Sequence, residues 1–311
     1  MDLLRISMVQ MDVIWENPAA NRLKLDQLLQ PLTGMTDLIV LPEMFTTGFS
    51  VQARELAEPM LGETVGWMKL KAQQTGAAIA GSLIIKENGI HFNRFIFVHP
   101  SGQINQYDKR HLFSMGGENQ YFDKGKSKDI ILYKGWRIAL FVCYDLRFPV
   151  WCRSISTADL MLFAANWPEK RNLVWQTLIR ARAIENQLYV AGVNRTGLDG
   201  NGITYSGEST LIDAKGFYLL EMGQQPDTVA TCPISLDELN RFREKFPVAE
   251  EEVRFRLEFC WDIQKYSIRL PGRWISFSFL ETDQTWDNLP ESWRLAPDWR
   301  KDGTTRHTFL N

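Results

Sequence analysis

WRIALFVCYDLRFP, residues 136–149, is an apolar run that breaks abruptly into a polar turn. Trp136 to Val142 is too short for a helix and rich enough in Ile, Leu, Phe and Val to be a strand buried on at least one face. It stops on Cys143, and Tyr144, Asp145 and Arg147 crowd the far side before Pro149 closes the stretch. A strand of this kind needs other elements to cover it, so the segment asks for alternating helices to cover the sheet's other face.

The flanking sequence supplies them. Leu4 to Val13 reads as a strand. Asn17 then offers a cap, Pro18 sits at the first helical position, and leucines follow at 23, 25, 28 and 29. "TDLIVLPEMF" is a short apolar strand ending at Pro42-Glu43, "TVGWMKLKAQQTG" a helix stopped by Gly76, and "AAIAGSLIIKENG" a strand running into an Asn-Gly turn. "HFNRFIFVHPSGQINQYDK" predicts two strands around a Pro-Ser-Gly turn. Beyond Cys143, "DLMLFAANWP" is a strand and "RNLVWQTLIRARAIENQ" a helix, with Leu173, Leu178, Ile179 and Ile184 near helical spacing. "LYVAGVNRTG" and "YSGESTLIDAKG" close the series as strands. The alternation predicts an α/β protein.

Composition is that of a globular chain: 311 residues, 45% apolar and 23% charged, with a formal net charge of −2. That balance favours neither nucleic acid nor an anionic membrane as partner. The opening stretch is too short and mixed for a secretory signal, and no segment approaches the apolar length of a membrane span. Cys143, Cys152, Cys232 and Cys260 show no CxxC pairing and no accompanying His. Neither zinc nor a redox pair is suggested, and a reduced, cytoplasmic setting is expected. From Phe259 to Asn311 the composition shifts. Trp261, Trp274, Trp286, Trp293 and Trp299 are five of the eleven tryptophans, with few clear helical or strand patterns. The expectation is a domain over 1–258 and a Trp-rich extension over 259–311 that packs on the domain or at a subunit interface.

Cys143 stands where a strand ends before a polar turn, so the next backbone N–H groups can face whatever the sulfur attacks. The alternative is an inert buried thiol, which is how Cys152, Cys232 and Cys260 are read. A nucleophilic thiol needs a proton acceptor. His111, beside Lys109, could form a dyad with it. A desolvated carboxylate could serve instead, and Glu43 ends an apolar strand between Pro42 and Met44-Phe45, unless it simply reaches solvent. Lys109 in "YDKRHLF" would lower the thiol's pKa and stabilise an oxyanion, or belong to a wet charged loop. Glu118 in "GGENQYF" is by itself only a carboxylate after a Gly pair.

Together, "LPEMFTTGF", "YDKRHLF", "GENQYF" and "VCYDLRFP" resemble, in order and spacing, the motifs of the nitrilase (carbon–nitrogen hydrolase) superfamily, and "AANWP" and "RARAIENQLYVAGVNRTG" extend the match. The resemblance covers about residues 4–256 and implies a four-layer αββα sandwich, paired into a homodimer or higher homo-oligomer. It implies that Glu43 is the general base, Lys109 the cationic stabiliser and Cys143 the nucleophile. Glu118 would orient the lysine, and the Tyr144 backbone N–H would join the oxyanion hole. No metal or organic cofactor is needed for that chemistry.

The later motifs look most like the ω-amidase branch, which hydrolyses 2-oxoglutaramate and 2-oxosuccinamate. A carboxylated small-molecule substrate calls for a cation, and Arg147, Lys170, Arg171 and Arg195 are candidates, with Trp167 a pocket wall or a core residue. Arg147 and Asp145 could instead pair with each other. The competing readings are another carbon–nitrogen hydrolase (N-carbamoyl hydrolase, aliphatic amidase or nitrilase) and a non-catalytic binding protein of the same fold. A redox thiol using Cys152 as resolving partner is a third.

Overall fold

The computed structural model describes residues 3–154, 157–251, 264–270 and 273–279. The chain begins with β1 (Leu3–Gln10), α1 (Pro18–Leu29), β2 (Leu38–Val40), the single turn α2 (Ala53–Leu56) and α3 (Glu63–Thr75). Three longer strands follow, β3 (Ala78–Glu87), β4 (Ile90–Val98) and β5 (Ile104–Asp108). The rhythm then repeats as β6 (Ile130–Tyr133), β7 (Trp136–Val142), the short α4 (Pro149–Cys152), β8 (Leu160–Ala165), α5 (Asn172–Asn186) and β9 (Tyr189–Asn194). A small ribbon of β10 (Thr196–Leu198) and β11 (Thr204–Ser206) precedes β12 (Thr210–Ile212), β13 (Tyr218–Glu221), β14 (Thr228–Ser235) and α6 (Leu236–Lys245).

Local signals behave as the residues dictate. The Asn17 side chain accepts the Ala20 N–H at 3.1 Å to open α1. Gly76 at φ +69° ends α3 in the left-handed conformation, which glycine adopts without a Cβ clash.

Two six-stranded mixed sheets result, ordered β14-β1-β2-β3-β4-β5 and β13-β12-β9-β8-β7-β6. Each has three parallel strands at its centre, with Leu38 facing Ile6 and Ala78 in the first, and Leu160 facing Ile138 and Tyr189 in the second. Side-chain alternation separates the layers. Leu4, Ile6, Leu38, Val40, Phe95 and Phe97 point inward to a core shared with the second sheet, where Phe141 stacks on Phe163 at 5.1 Å. Val9, Ile39, Ile79 and Ile96 point outward to Leu25 and Leu29 of α1 and to Val65, Met68 and Ala72 of α3. Trp175, Ile179 and Ala183 of α5 cover the other side of the second sheet. The architecture is the expected αββα sandwich.

The apolar stripe of α5 differs from the expected one. Trp175, Ile179, Arg182, Ala183 and Asn186 are buried at helical spacing, whereas Leu173 and Ile184 are exposed. The buried face includes two polar residues, so counting leucines and isoleucines picked a set that straddles the helix.

Residues 251–311 form a separate compact unit, in which β15 (Gln264–Leu270) and β16 (Arg273–Phe279) pair antiparallel. This hairpin was not legible from the Trp-rich composition. The expected boundary at 258/259, Cys260, Trp261, Trp286, Trp293 and Trp299 lie outside the described residues, as does the expected packing of the extension. No helix among the described residues is long and apolar enough to cross a membrane.

Candidate active site

The parallel strands deliver their carboxyl-terminal ends to one place, where ligands of α/β sheets characteristically bind. β2 leads into Glu43, β7 into Cys143 and β8 into Asn166. The carboxylate and the thiol sit on strained turns: Met44, directly after Glu43, has φ +43°, and Cys143 itself has φ +42°. A non-glycine residue in this region costs on the order of 1–3 kcal/mol and persists only where surrounding contacts over-determine it. Ser82 of β3 supplies one such contact, its hydroxyl accepting the Met44 N–H at 2.9 Å.

Lys109 arrives from the β4–β5 hairpin. Its N–H donates to the Asn93 carbonyl at 2.9 Å, extending the ladder by one residue beyond Asp108. Gly125 closes over this strand end, donating to the Lys109 carbonyl at 3.0 Å. A Cβ there would lie 1.9 Å from the Asp108 carbonyl oxygen, so only glycine permits the approach.

At the centre, Lys109 Nζ donates to Glu43 Oε1 at 2.8 Å and to both Glu118 oxygens at 2.9 and 3.0 Å. All three side chains are fully buried. Such a cluster survives only if each charge is paired and its remaining positions are bonded. Asn93 Nδ2 donates to Glu43 Oε1 at 2.8 Å and Glu118 Oε1 at 3.1 Å, and the Phe113 N–H to Glu118 Oε2 at 2.6 Å. The Asn166 N–H donates to Glu43 Oε2 at 2.9 Å, while Asn166 Nδ2 holds the Glu43 carbonyl at 2.7 Å. Glu43 is thus fixed on four sides.

Cys143 Sγ lies 3.8 Å from the Asn166 carbonyl. Burial pushes the thiol well above its usual pKa, the Glu43 carboxylate raises it further, and Lys109 opposes both. The sulfur therefore holds its proton at neutral pH with an acceptor beside it. Lys109 is itself raised: burial lowers it, but Glu118 and Glu43 overcome that. Glu118 is raised by burial and by the neighbouring Glu43 charge, against the pull of Lys109.

A cavity of about 630 Å³ opens above the cluster, lined by Lys109, Cys143, Tyr144 and Asn166 among others. Arg147, Trp167 and Arg171 also line it, as the sequence had suggested. The Arg147 guanidinium lies 5.2 Å over the Trp167 ring and that of Arg171 5.1 Å over Phe113. Neither has an ion-pair partner among the described residues.

Three expectations are corrected. Arg195 does not line the cavity. Its buried guanidinium turns to Asp12 at 3.2 Å and to the Val13 carbonyl at 3.0 Å, bonds that offset part of its desolvation. Lys170 is exposed and also off the wall. Asp145 does not pair with Arg147: its carboxylate takes Tyr107, Val142 N–H and His111. The same bond at 2.8 Å commits His111 Nδ1 to Asp145, while Glu43 and Lys109 are the charges that act on Cys143. Cys152 Sγ donates to the Asp145 carbonyl at 3.2 Å, and burial raises its pKa, as suits a core thiol. Sequence reasoning missed Asn93 and Asn166. Asn166 was within view, since it interrupts an apolar strand end just before Trp167. Asn93 carried no signal beyond being polar in a buried strand.

The carbon–nitrogen hydrolase family model matches residues 5–244. The ω-amidase YafV of Escherichia coli K12 is 44% identical over 256 residues, 82% of this chain and 98% of its own. A 2-oxoglutaramate amidase of Bacillus subtilis is 33% identical, over 79% of this chain and 96% of its own. Among solved structures, a carbon–nitrogen hydrolase superfamily protein of Xanthomonas campestris, with an arsenic adduct in its active site, superposes with a TM-score of 0.81. It is 45% identical, covering 83% of this chain and all of that one.

Proposed function

The chain belongs to the carbon–nitrogen hydrolase family and hydrolyses carbon–nitrogen bonds other than peptide bonds, and we propose that its reaction is that of an ω-amidase, releasing ammonia from a small amide that carries a carboxylate, such as 2-oxoglutaramate or 2-oxosuccinamate. Glu43 takes the Cys143 proton as sulfur attacks the amide carbon. Lys109 and the Tyr144 N–H hold the developing oxyanion. The C–N bond then breaks and the proton on Glu43 passes to the leaving nitrogen, leaving a thioester. Glu43 next removes a proton from water, which attacks the thioester, and the thiol is regenerated with the carboxylic acid as product. Glu118 and Asn93 keep Lys109 and Glu43 in register throughout.

The observation that carries the substrate is the pair Arg147 and Arg171. Two guanidiniums face one cavity with Cys143, without ion-pair partners among the described residues, and a carboxylate distal to the amide satisfies them. The similarity to the YafV and B. subtilis enzymes supports the same reading.

Ammonia release from 2-oxoglutaramate by the wild type and by Cys143→Ala, matched for folding by circular dichroism, is the test. Turnover lost in the variant is expected. Wild-type silence on 2-oxo acid amides, with turnover of an N-carbamoyl or neutral amide, would overturn the substrate class. We assign the reaction to the cytoplasm, where a free thiol stays reduced, and to a homo-oligomer. Exposed Leu173 and Ile184 of α5, the latter packed against the β12–β13 turn that carries exposed Phe217, support self-association. Sedimentation as a monomer at micromolar concentration would overturn it.

A further inference from the structure

Asp145 is fully buried, and nothing in the reaction above uses it. Its carboxylate nevertheless gathers four donors. Oδ2 accepts the Tyr107 hydroxyl at 2.8 Å and the Val142 N–H at 3.1 Å. Oδ1 accepts the His111 N–H at 2.9 Å and the His111 ring at Nδ1, 2.8 Å away. An ionised carboxylate only accepts, so Nδ1 carries the hydrogen.

The sources of these donors matter more than their number. Tyr107 precedes Lys109 by two residues, His111 follows it by two, and Val142 is the residue before Cys143. One side chain, two residues beyond the nucleophile, thus grips the lysine-bearing segment on both sides and the end of the nucleophile strand. The hub is reinforced from outside, with Trp151 Nε1 donating to the Tyr107 hydroxyl at 2.9 Å. The His111 ring lies flat on Phe148, 3.6 Å away and 7° from parallel, and Phe148 meets Tyr144 edge-on at 5.3 Å. Lys109 comes from the first sheet and Cys143 from the second. Their separation is therefore not set by any one ladder of backbone bonds.

We infer that Asp145 and His111 are a positioning pair that holds the Lys109 segment against the Cys143 turn and so fixes the ammonium relative to the sulfur. This rests on the reading of Cys143 as nucleophile and Lys109 as oxyanion partner. Misplacement of a reacting group by about 1 Å can cost on the order of a hundredfold in rate.

The test uses His111→Ala, which removes the side-chain donor, and His111→Asn, whose amide N–H reproduces the Nδ1 donor. Asp145→Asn, which sets an NH2 against N–H donors, is the harsher second variant. Two quantities are read on protein matched by circular dichroism: kcat and KM for the amide the wild type hydrolyses, and the rate of Cys143 alkylation by iodoacetamide at neutral pH. With His111→Ala, kcat falls by about ten- to a hundredfold with KM little changed. Alkylation slows, since a displaced Lys109 no longer favours the thiolate. His111→Asn restores most of both. Equal behaviour of the two His111 variants, or loss of melting temperature alone with kcat and alkylation at wild-type values, would overturn the proposal. Alkylation needs no substrate, so a wrong amide leaves that arm intact. Wild-type turnover that survives Cys143→Ala would instead remove the nucleophile reading and the proposal with it.

Discussion

The floor of the pocket and its rim both present positive charge, and they are built on opposite rules. At the floor, Lys109 is fully buried between two carboxylates, and every charge has a partner within 3.1 Å. At the rim, Arg147 is exposed and Arg171 half-buried, each resting on an aromatic face. The contrast follows from desolvation. A buried ion without a partner costs several kcal/mol, so the floor must be complete before any ligand arrives. A guanidinium in contact with water carries little such cost and can wait for a ligand's carboxylate. The floor is therefore suited to fixed chemistry and the rim to choice of substrate.

The largest effects are expected where the floor is broken. Cys143→Ala removes the proposed nucleophile and should leave no measurable turnover, and kinetics after treatment with a thiol-blocking reagent should match it. Lys109→Met should lower kcat by about 10²–10³-fold through loss of the proposed oxyanion partner. It also leaves Glu43 and Glu118 facing each other uncompensated, and should destabilise the fold by about 3–5 kcal/mol in denaturant titration. If Lys109→Met kept wild-type stability, the floor would not be the obligatory ion cluster described here.

Glu43→Gln sharpens the same point by separating two properties of the thiol. In its proposed role as general base, Glu43 should contribute about 10²–10⁴-fold to turnover, which the amide cannot replace. Yet the Glu43 charge is one of the causes that hold the Cys143 pKa up. Removing it lets the thiol ionise at lower pH, so alkylation by iodoacetamide at neutral pH should become faster while hydrolysis collapses. A variant slow in both assays would show that burial alone governs the sulfur.

Much of this arrangement was visible in the sequence, for a physical reason. Glu43, Lys109 and Cys143 each end an apolar strand, and a strand end is where backbone regularity stops and a polar side chain can be aimed. The same alternation of short apolar runs with helices gave the α/β class, while the αββα layering came only with the resemblance to the nitrilase superfamily. What was not visible depends on partners far along the chain. Asn93 is separated from Glu43 by fifty residues and gains its role only when β4 lies beside the β2 turn. Asp145 has Arg147 two residues away but is served by Tyr107 and His111 from the other sheet. Arg195 was a candidate only as a cation able to meet a substrate carboxylate, and its guanidinium turns toward Asp12.

The rim is tested by charge alone. Arg147→Ala and Arg171→Ala should each raise KM for a carboxylated amide by about tenfold or more. That is the size of one lost charge-assisted bond of about 1.5–3 kcal/mol. The kcat/KM for a neutral amide of similar size should stay near its wild-type value. Equal losses on both substrates would place the arginines in general packing of the wall and end their role in selection.

The smallest effect is expected at a second buried carboxylate that has the floor's construction without its chemistry. Asp37, at the start of β2, accepts the Arg5 N–H and Nε at 2.9 Å each and takes Lys134 Nζ at 2.5 Å. Lys134 belongs to the β6–β7 turn, so this cluster also joins the two sheets, away from the cavity. The Arg5 and Lys134 bonds outweigh its burial and hold the Asp37 carboxyl well below the usual range. A depressed folded pKa means that the unfolded chain takes up the proton first as pH falls. The stabilisation is therefore complete above about pH 4, the ordinary aspartate value, and is lost progressively below it. Asp37→Asn should cost about 1–3 kcal/mol at neutral pH, with the difference from wild type shrinking toward acid. Turnover per folded molecule should not change. A loss of turnover comparable to that of Lys109→Met would mean that any buried ion cluster between the sheets supports catalysis, and the distinction between floor and scaffold would fail.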